Sequence, residues 1–252
     1  MSTYNDKLAN CYDDLYLDKD YSKEAEYITR TADSHNVLLD IGCGTMSHTI
    51  LLAPKFKQVI AVDLSKPMID IGLLKLKNLG IKNVSGFCCD VADLKISEQV
   101  DCAISMFNVV NHIESIKDLQ TFFDAINNRL KPNGVFVFDC WNGVACTIEQ
   151  PTEHSFKTKT ASSKTFEIST STKTNLFDSI SIMENNVVVK ENNTIVDVFS
   201  YELRHILWSN HTLKDLLKNA GFVLETITPN VTVKTPATIK DYRLVYTCRK
   251  KV

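Results

Sequence analysis

The chain has 252 residues, with 28 Lys or Arg against 30 Asp or Glu, which gives a net charge of −2 at pH 7. This length suits one large domain, or one domain with an inserted lid. The balanced charge argues against a protein that holds nucleic acid by neutralising its phosphates. The eight cysteines include no C-x-x-C pair, and neither a signal-type apolar segment nor a long apolar run is present. We therefore expect a cytoplasmic protein without a metal site or a membrane span.

Short apolar runs alternate with helical patterns through the first two-thirds of the chain. Strands are predicted at 37–41, 59–63, 84–89, 101–106 and 135–139. Helices are predicted between them at 47–54, 67–79 and 116–130, and a turn at 131–134 ends the last of these because it contains proline and glycine. Such alternation with continuous apolar strands predicts a parallel sheet with helices on both faces.

The pattern changes after about residue 153. Residues 153–207 are rich in Thr, Ser and Val in alternation, which predicts a small antiparallel set of strands with turns at 185–186 and 191–193. A final helix at 210–220 and two closing strands near 222–228 and 241–248 follow, and we expect the basic residues 249–251 to be a solvated tail.

The segment 37–45 is the most informative part of the chain. An apolar strand leads into Gly42 and Gly44 and then into a helical pattern, an order that lets a cofactor lie against bare backbone at a helix N-terminus. Asp63 ends the next apolar run, about 20 residues after the turn, which suits a carboxylate that binds ribose hydroxyls. The sequence therefore predicts a ligand that contains a ribose.

The details of this turn separate two kinds of cofactor. A dinucleotide turn has a third glycine where this chain has Ser47, and the Asp40 carboxylate would repel a diphosphate but attract a sulfonium or an ammonium group. The motif D-x-G-x-G-T at 40–45 resembles motif I of the class I S-adenosylmethionine-dependent methyltransferases. In that family a glycine usually follows the threonine, whereas this chain has Met46. The resemblance implies an α/β fold with a seven-stranded, mostly parallel, Rossmann-like sheet and an antiparallel β insert over the active-site edge.

Later segments continue the resemblance in the same order along the chain. Asp90 follows the third strand, where a family carboxylate and its neighbour's backbone amide, here Val91, hold the adenine amine. Taken alone, Asp90 would also serve as a helix cap. The fourth strand ends in the residues 105–108, which face the methyl group in the family, and residues 130–135 resemble the turn before its fifth strand.

The N-terminal segment makes the resemblance more specific. Residues 12–21, followed by a helix near Glu24, are similar to the opening of nucleotide-sugar N-methyltransferases, which make dimethylated deoxyaminosugars. Three later segments also resemble that group: 105–110, 139–142 and 204–209. N-terminal tyrosines close over the cofactor there, so the resemblance implies that Tyr16 and Tyr21 form a lid.

The resemblance implies a set of parts and contacts. The parts are a helical cofactor lid (1–35), an α/β core that binds S-adenosylmethionine (36–145), an antiparallel β insert that is a substrate lid or a dimer contact (146–208), and a C-terminal helix with closing strands (209–252). The predicted cofactor contacts are Tyr16, Tyr21, Asp40, Gly42, Cys43, Gly44, Asp63, Leu64, Met68, Asp90, Val91 and Met106.

The candidate catalytic and substrate residues follow from the chemistry of methyl transfer. The methyl group is already activated, so alignment matters more than acid-base help, although a hydroxyl substrate needs a base near its oxygen. His112 and His211 are the candidate bases. Asn108, Trp141 and His205 are predicted on the substrate side, and each histidine would otherwise be a structural or surface residue.

The predicted function is methylation of a small polar metabolite, with a nucleotide-activated or glycan-pathway sugar favoured and its N or O acceptor left open. The fourth strand lacks the N-P-P-Y type tetrad, which argues against nucleic acid and protein-glutamine substrates. The alternatives are O-methylation of another small acid or hydroxyl, a non-catalytic S-adenosylmethionine-binding protein, and, least favoured, a Rossmann dehydrogenase. A homodimer is compatible with the insert.

Overall fold

The structure is a computed structural model and describes residues 6–161 and 163–251. The helices are α1 (Asp6–Leu15), α2 (Tyr21–Thr31), α3 (Ser47–Leu52), α4 (Lys66–Asn78), α5 (Ile116–Arg129), α6 (Gly143–Ile148) and α7 (Asn210–Asn219), with short 3-10 helices at Ala53–Lys55, Val91–Asp93 and Val109–His112. The strands are β1 (Val37–Ile41), β2 (Gln58–Asp63), β3 (Val84–Cys88), β4 (Val100–Ser105), β5 (Leu130–Trp141), β6 (His154–Ala161), β7 (Lys164–Asn175), β8 (Ile180–Glu191), β9 (Thr194–Ile206), β10 (Phe222–Thr228) and β11 (Arg243–Lys250). Across these two ranges, no helix combines the length and the apolar character that a membrane crossing requires.

The larger sheet has seven strands in the order β10-β11-β5-β4-β1-β2-β3. The strands β1 to β5 run parallel to one another, while β11 is antiparallel to both β5 and β10. The central strands are buried along almost their whole length, because helices cover both faces of the sheet. The predicted α/β class and the seven-stranded, mostly parallel sheet are confirmed.

The second sheet is the antiparallel insert, with strand order β6-β7-β8-β9. Its inner face packs Phe166, Val187 and Phe199 against Leu8 and Leu15 of α1, so the insert and the N-terminal helix share one hydrophobic cluster. This separate four-stranded sheet confirms the predicted antiparallel insert.

The end of β9 is bound to the 3-10 helix that follows β4. The Nδ2 of Asn111 donates to the carbonyl oxygen of Ile206 at 2.8 Å, and the ring of His112 bonds the carbonyl oxygen of Arg204 at 2.9 Å. Because β4 ends in the middle of the larger sheet, these bonds place the insert over the carboxyl ends of the parallel strands.

The predicted turn at 131–134 is part of β5, which begins at Leu130. The register between β4 and β5 shifts after this residue, since Val100 pairs with Leu130 and Cys102 pairs with Val135. Asn133 has a φ of 62° within this irregular stretch. The proline and glycine therefore mark an irregularity at the start of a strand rather than a turn before it.

The basic C-terminal residues are not the solvated tail that was expected. Arg249 belongs to β11 and donates to Glu225 at 2.5 Å and to Asp33 at 2.6 Å. Lys250 donates to the carbonyl oxygen of Leu130 at 2.8 Å, close to the end of α5. Sequence periodicity did not show these contacts because the partners lie far away along the chain.

Candidate active site

A cavity of about 450 Å³ opens at the carboxyl ends of β1, β2 and β4. In a parallel α/β sheet this edge is where ligands bind. Nine of the predicted site residues line the cavity: Gly42, Gly44, Asp63, Leu64, Met68, Asp90, Val91, Met106 and His112. The fold thus brings nine residues that the sequence predicts, from Gly42 to His112 and 70 positions apart at most, to one cavity.

The glycine turn after β1 requires glycine for two reasons. Gly42 and Gly44 have φ values of 67° and 53°, in the left-handed region that favours glycine. A Cβ atom on Gly42 would lie 2.5 Å from a methyl carbon of Val109. The amides of Gly42 and Cys43 both donate to the carbonyl oxygen of Val62, at 2.8 and 3.1 Å, which fixes the turn against β2. The result is a stretch of bare backbone on the cavity wall.

Met46 replaces the glycine that usually follows this motif, and the fold makes room for its side chain. The residue keeps a left-handed φ of 67° and is fully buried. Its side chain fills space that two glycines leave open, since a Cβ on Gly72 would lie 2.6 Å from the Met46 Cγ and one on Gly86 would lie 2.8 Å from its Cε. The glycines of α4 and β3 therefore make room for the methionine that replaces the family's glycine.

Asp63 ends β2 with its carboxylate held in one orientation. One oxygen accepts from the amide of Gly44 and the other from the amide of Ser65, both at 2.8 Å. Burial raises the pKa of Asp63, and these backbone bonds oppose that rise. A fixed carboxylate at the cavity wall is suited to accept hydrogen bonds from a diol.

Asp90 fits both of the interpretations that the sequence allowed. It caps the 3-10 helix Val91–Asp93 by accepting from the amide of Ala92 at 2.8 Å. It also lines the cavity together with Val91. The exposed Leu64 and the buried Met68 complete this part of the wall, and Cys89, which was not predicted, lies beside them.

Asp40 and Cys43 are close to the turn but do not line the cavity. One oxygen of Asp40 accepts from the hydroxyl of Thr49 at 2.5 Å, inside the protein. Burial raises the pKa of Asp40, and the charge of His48 and the Thr49 bond oppose it. The carboxylate therefore stabilises the start of α3 and is not part of the cavity wall, where the sequence predicts a contact with the cofactor.

Of Tyr12, Tyr16 and Tyr21, only Tyr12 lines the cavity. Tyr16 packs on Tyr12, with ring centroids 4.7 Å apart, and meets the ring of Phe107 edge-on at 5.0 Å. Tyr21 meets the ring of His48 at 4.9 Å. The predicted lid residues Tyr16 and Tyr21 are therefore not part of the cavity wall, and the sequence analysis missed Tyr12, which lies in α1 four residues before Tyr16.

His112, His205 and Trp141 form one aromatic cluster at the carboxyl ends of β4 and β5. The rings of His112 and His205 have centroids 4.8 Å apart, and Trp141 stacks on His205 at 4.2 Å with an angle of 6° between the planes. Of the three, only His112 lines the cavity. Burial lowers the pKa of His112, and burial with the charge of His112 lowers the pKa of His205 to about 3. Both imidazoles are neutral at pH 7.

The hydrogen bond of His112 fixes its tautomer. A carbonyl oxygen only accepts, so Nδ1 donates to Arg204, and in the neutral ring Nε2 carries the lone pair. Nearby, Asn108 has a φ of 64° and its amide donates to Asp139 at 3.1 Å. Among residues 6–161 and 163–251, the Oδ1 of Asn108 and the Nδ1 of His205 are buried without a hydrogen-bond partner.

His211 lies outside this arrangement. Its side chain is 87% exposed at the start of α7 and sits 3.4 Å from Asp215. It does not line the cavity, so the structure brings only one of the two candidate bases, His112, to the site.

Residues 38–134 match a family model described as a methyltransferase domain. Among curated proteins, the chain is 27% identical over 140 residues to the dTDP-3-amino-3,4,6-trideoxy-alpha-D-glucopyranose N,N-dimethyltransferase of Streptomyces venezuelae. That alignment covers 53% of this chain and 56% of the relative, so it spans little more than half of the relative's length.

Solved structures share the fold over nearly the whole chain. An S-adenosylmethionine-dependent methyltransferase from Clostridium acetobutylicum has a TM-score of 0.83 at 23% identity, over 98% of both chains. Streptomyces venezuelae DesVI has a TM-score of 0.79 at 20% identity, over 97% of this chain and 98% of DesVI.

The glycine turn, the Asp63 carboxylate and this likeness define the class of the protein. The chain has the class I methyltransferase fold, and residues 38–134 match the model of a methyltransferase domain. The cofactor of this class is S-adenosylmethionine, as the sequence predicts.

Proposed function

We propose that this chain methylates the amino group of a nucleotide-linked aminosugar. The observation that carries the proposal is the pair of neutral imidazoles, His112 and His205, beside a cavity that begins at the glycine turn and Asp63. The N,N-dimethyltransferase of S. venezuelae supports the choice of substrate by its name, and DesVI supports it through the shared fold alone.

The cavity residues divide into a cofactor part and a transfer part. S-adenosylmethionine supplies an activated methyl group on a sulfonium. The bare backbone of Gly42 and Gly44 allows close approach of the cofactor, while Asp63 accepts from the ribose hydroxyls and Asp90 lies at the adenine end. His112 lines the same cavity, and we place the acceptor group beside it.

The chemistry of the transfer part suits an amine. A neutral amine attacks through its own lone pair, so it needs hydrogen-bond acceptors to orient its N–H bonds, and a base serves only to take up the proton that is released after transfer. The lone pair on the Nε2 of His112 provides such a base. The Oδ1 of Asn108, which follows the cavity residue Phe107, is a further buried acceptor.

Methylation of a hydroxyl on a similar sugar is the second candidate, because His112 lines the cavity and would act as the general base. A hydroxyl depends on that base more than an amine does, since it is a weak nucleophile while protonated. The two candidates therefore differ in their dependence on His112.

We further propose that the division of the chain into a lid (1–35), a core (36–145), an insert (146–208) and a C-terminal part (209–252) has functional meaning. The packing of α1 against the insert and the bonds from β9 to residues 111 and 112 support an insert that covers the substrate. A second role of the insert as a homodimer contact is compatible with this arrangement.

The direct test is mass spectrometry of candidate substrates. The purified protein is incubated with S-adenosylmethionine and dTDP-linked sugars that carry an amino group at C3 or at C4, with the corresponding hydroxyl sugars as controls. We expect the mass of one or two methyl groups on an aminosugar and none on its hydroxyl counterpart. Methylation of the hydroxyl sugars alone would replace the N-methylation proposal with the O-methylation one.

A further inference from the structure

A buried group of ionic side chains connects the N-terminal helices to the carboxyl end of the larger sheet. Its centre is Glu24 of α2, which is 4% exposed. Both Glu24 oxygens lie 2.7 Å from the ammonium of Lys19, one lies 2.5 Å from the Nε2 of His48, and the other lies 2.6 Å from a guanidinium nitrogen of Arg243. One carboxylate thus binds groups from three separate parts of the fold.

Arg243 carries the connection across the sheet. Its Nε donates at 2.5 Å to Asp139, a fully buried carboxylate near the end of β5. The other oxygen of Asp139 accepts from the amide of Asn108 at 3.1 Å. We call these five side chains, Lys19, Glu24, His48, Asp139 and Arg243, the Glu24 cluster.

The far end of the Glu24 cluster holds strained backbone at the cavity. Phe107 and Asn108 have φ values of 73° and 64°, a region that is costly for a bulky residue such as Phe107 and is tolerated better by asparagine. Phe107 lines the cavity, and Val109 packs against the glycine turn. The bond from Asn108 to Asp139 therefore helps to fix the segment that leads to His112.

The near end of the cluster holds the N-terminal segment over the same wall. The ammonium of Lys19 lies 4.8 Å from the ring centroid of Phe107 and 4.9 Å from that of Tyr21. Burial raises the pKa of Glu24, but its bond to His48 and the charges of His48, Lys19 and Arg243 outweigh this and hold the pKa below its usual range. Glu24 is therefore an ionised carboxylate that draws the connection between α1 and α2 onto the sheet.

We propose that Glu24 is a positioning residue for methyl transfer. By binding Lys19 and Arg243 at once, it keeps α1 with Tyr12 on the cofactor cavity and stabilises the strained backbone before His112. The inference rests on the proposed use of the cavity for S-adenosylmethionine, and it does not depend on which substrate accepts the methyl group.

The test compares Glu24→Gln, which keeps the shape but removes the charge, with Glu26→Gln as a matched control. Glu26 is exposed on the same helix. Affinity for S-adenosylhomocysteine is measured by calorimetry well below each unfolding midpoint, together with hydrogen exchange of residues 6–20. We expect Glu24→Gln to weaken binding by at least about tenfold and to speed exchange of that segment, because its cations lose their shared partner. Glu26→Gln should match the wild type in both measurements.

A purely structural role would give a different result. In that case Glu24→Gln lowers the unfolding midpoint but binds S-adenosylhomocysteine as tightly as Glu26→Gln does, and this outcome overturns the inference. If Glu24→Gln does not fold, Lys19→Met removes one cation at the edge of the cluster and is expected to show the same weaker binding and faster exchange. Wild-type protein that binds no S-adenosylhomocysteine contradicts the proposed function itself, whereas equal binding by wild type and variants contradicts the positioning role alone.

Discussion

At the scale of single residues, Asp63 has the most closely defined position in the site. Its two oxygens are oriented by the amides of Gly44 and Ser65, so the carboxylate presents a fixed acceptor to the cavity. We expect Asp63→Ala to weaken binding of S-adenosylhomocysteine by about 1–3 kcal/mol, because ribose hydroxyls lose an acceptor in a partly buried site. Calorimetry measures this loss, with Asp70→Ala on the exposed face of α4 as the control. Unchanged affinity in Asp63→Ala would show that the ribose binds elsewhere.

His112 is the residue whose replacement separates the two candidate reactions. We expect His112→Ala to reduce kcat strongly for a hydroxyl acceptor and only slightly for an amine, because only the hydroxyl requires a base to become a good nucleophile. Steady-state kinetics on matched amino and hydroxyl sugars measure the two effects. Equal kcat for wild type and variant on a proven hydroxyl acceptor would remove His112 as the base.

At the scale of elements, α4 and β3 accommodate Met46, the unusual residue of the glycine motif, at the start of α3. We expect Gly72→Ala to lower the free energy of unfolding by about 1–3 kcal/mol, because the added methyl group overlaps the Met46 side chain. The same change in a Met46→Gly background should be neutral or stabilising by up to about 1 kcal/mol, since alanine favours the helix. Urea unfolding of the two single variants and the double variant measures this coupling. Additive effects would mean that Met46 and Gly72 are not in contact.

The sequence predicts the elements of the core well, and the reasons are local. Continuous apolar runs place β1 correctly at 37–41 and the neighbouring strands to within one residue. The start of β5 was wrong because Pro132 and Gly134 look like turn residues, and only the pairing with β4 shows that they lie in a strand. In the insert, the turn expected at 191–193 does join β8 to β9, whereas the residues 185–186 lie inside β8, because turn-type residues alone do not identify a turn.

The site residues that belong to a sequence motif could be predicted, whereas contacts between distant parts of the chain could not. The glycine turn and Asp63 follow from the sequence pattern and its spacing, and Asp90 follows from the family resemblance. The Glu24 cluster does not, because Glu24 and Arg243 are 219 positions apart and neither belongs to a motif. Asp40 is a similar case, since it does not line the cavity and the partner that orients it, Thr49, is known only from the packing of α3.

At the scale of the whole molecule, buried neutral histidines make the stability depend on pH. The pKa of His205 is about 3 in the folded state and close to 6.5 in the unfolded state. Between these values the unfolded chain binds a proton that the folded chain does not, so stability is complete above about pH 6.5 and is lost as the pH falls, by at most roughly 1.4 kcal/mol per pH unit for this group.

Urea unfolding at pH 7 and pH 5 measures this effect. We expect His205→Phe, which keeps a ring against Trp141, to lose less stability between these pH values than the wild type. The slope that remains reflects His112, whose pKa is also lowered by burial. His154→Phe, at an exposed position of β6, is the control. An identical difference in all three proteins would show that His205 is not buried as a neutral group.

The most direct test of the account is a calorimetric titration of the wild-type protein with S-adenosylhomocysteine and, separately, with NAD. The account predicts binding of S-adenosylhomocysteine to one site per chain and no binding of NAD, because the turn at Gly42 carries Asp40 beneath it and has no third glycine for a diphosphate. Binding of NAD without binding of S-adenosylhomocysteine would contradict the account and assign the cavity to a dinucleotide.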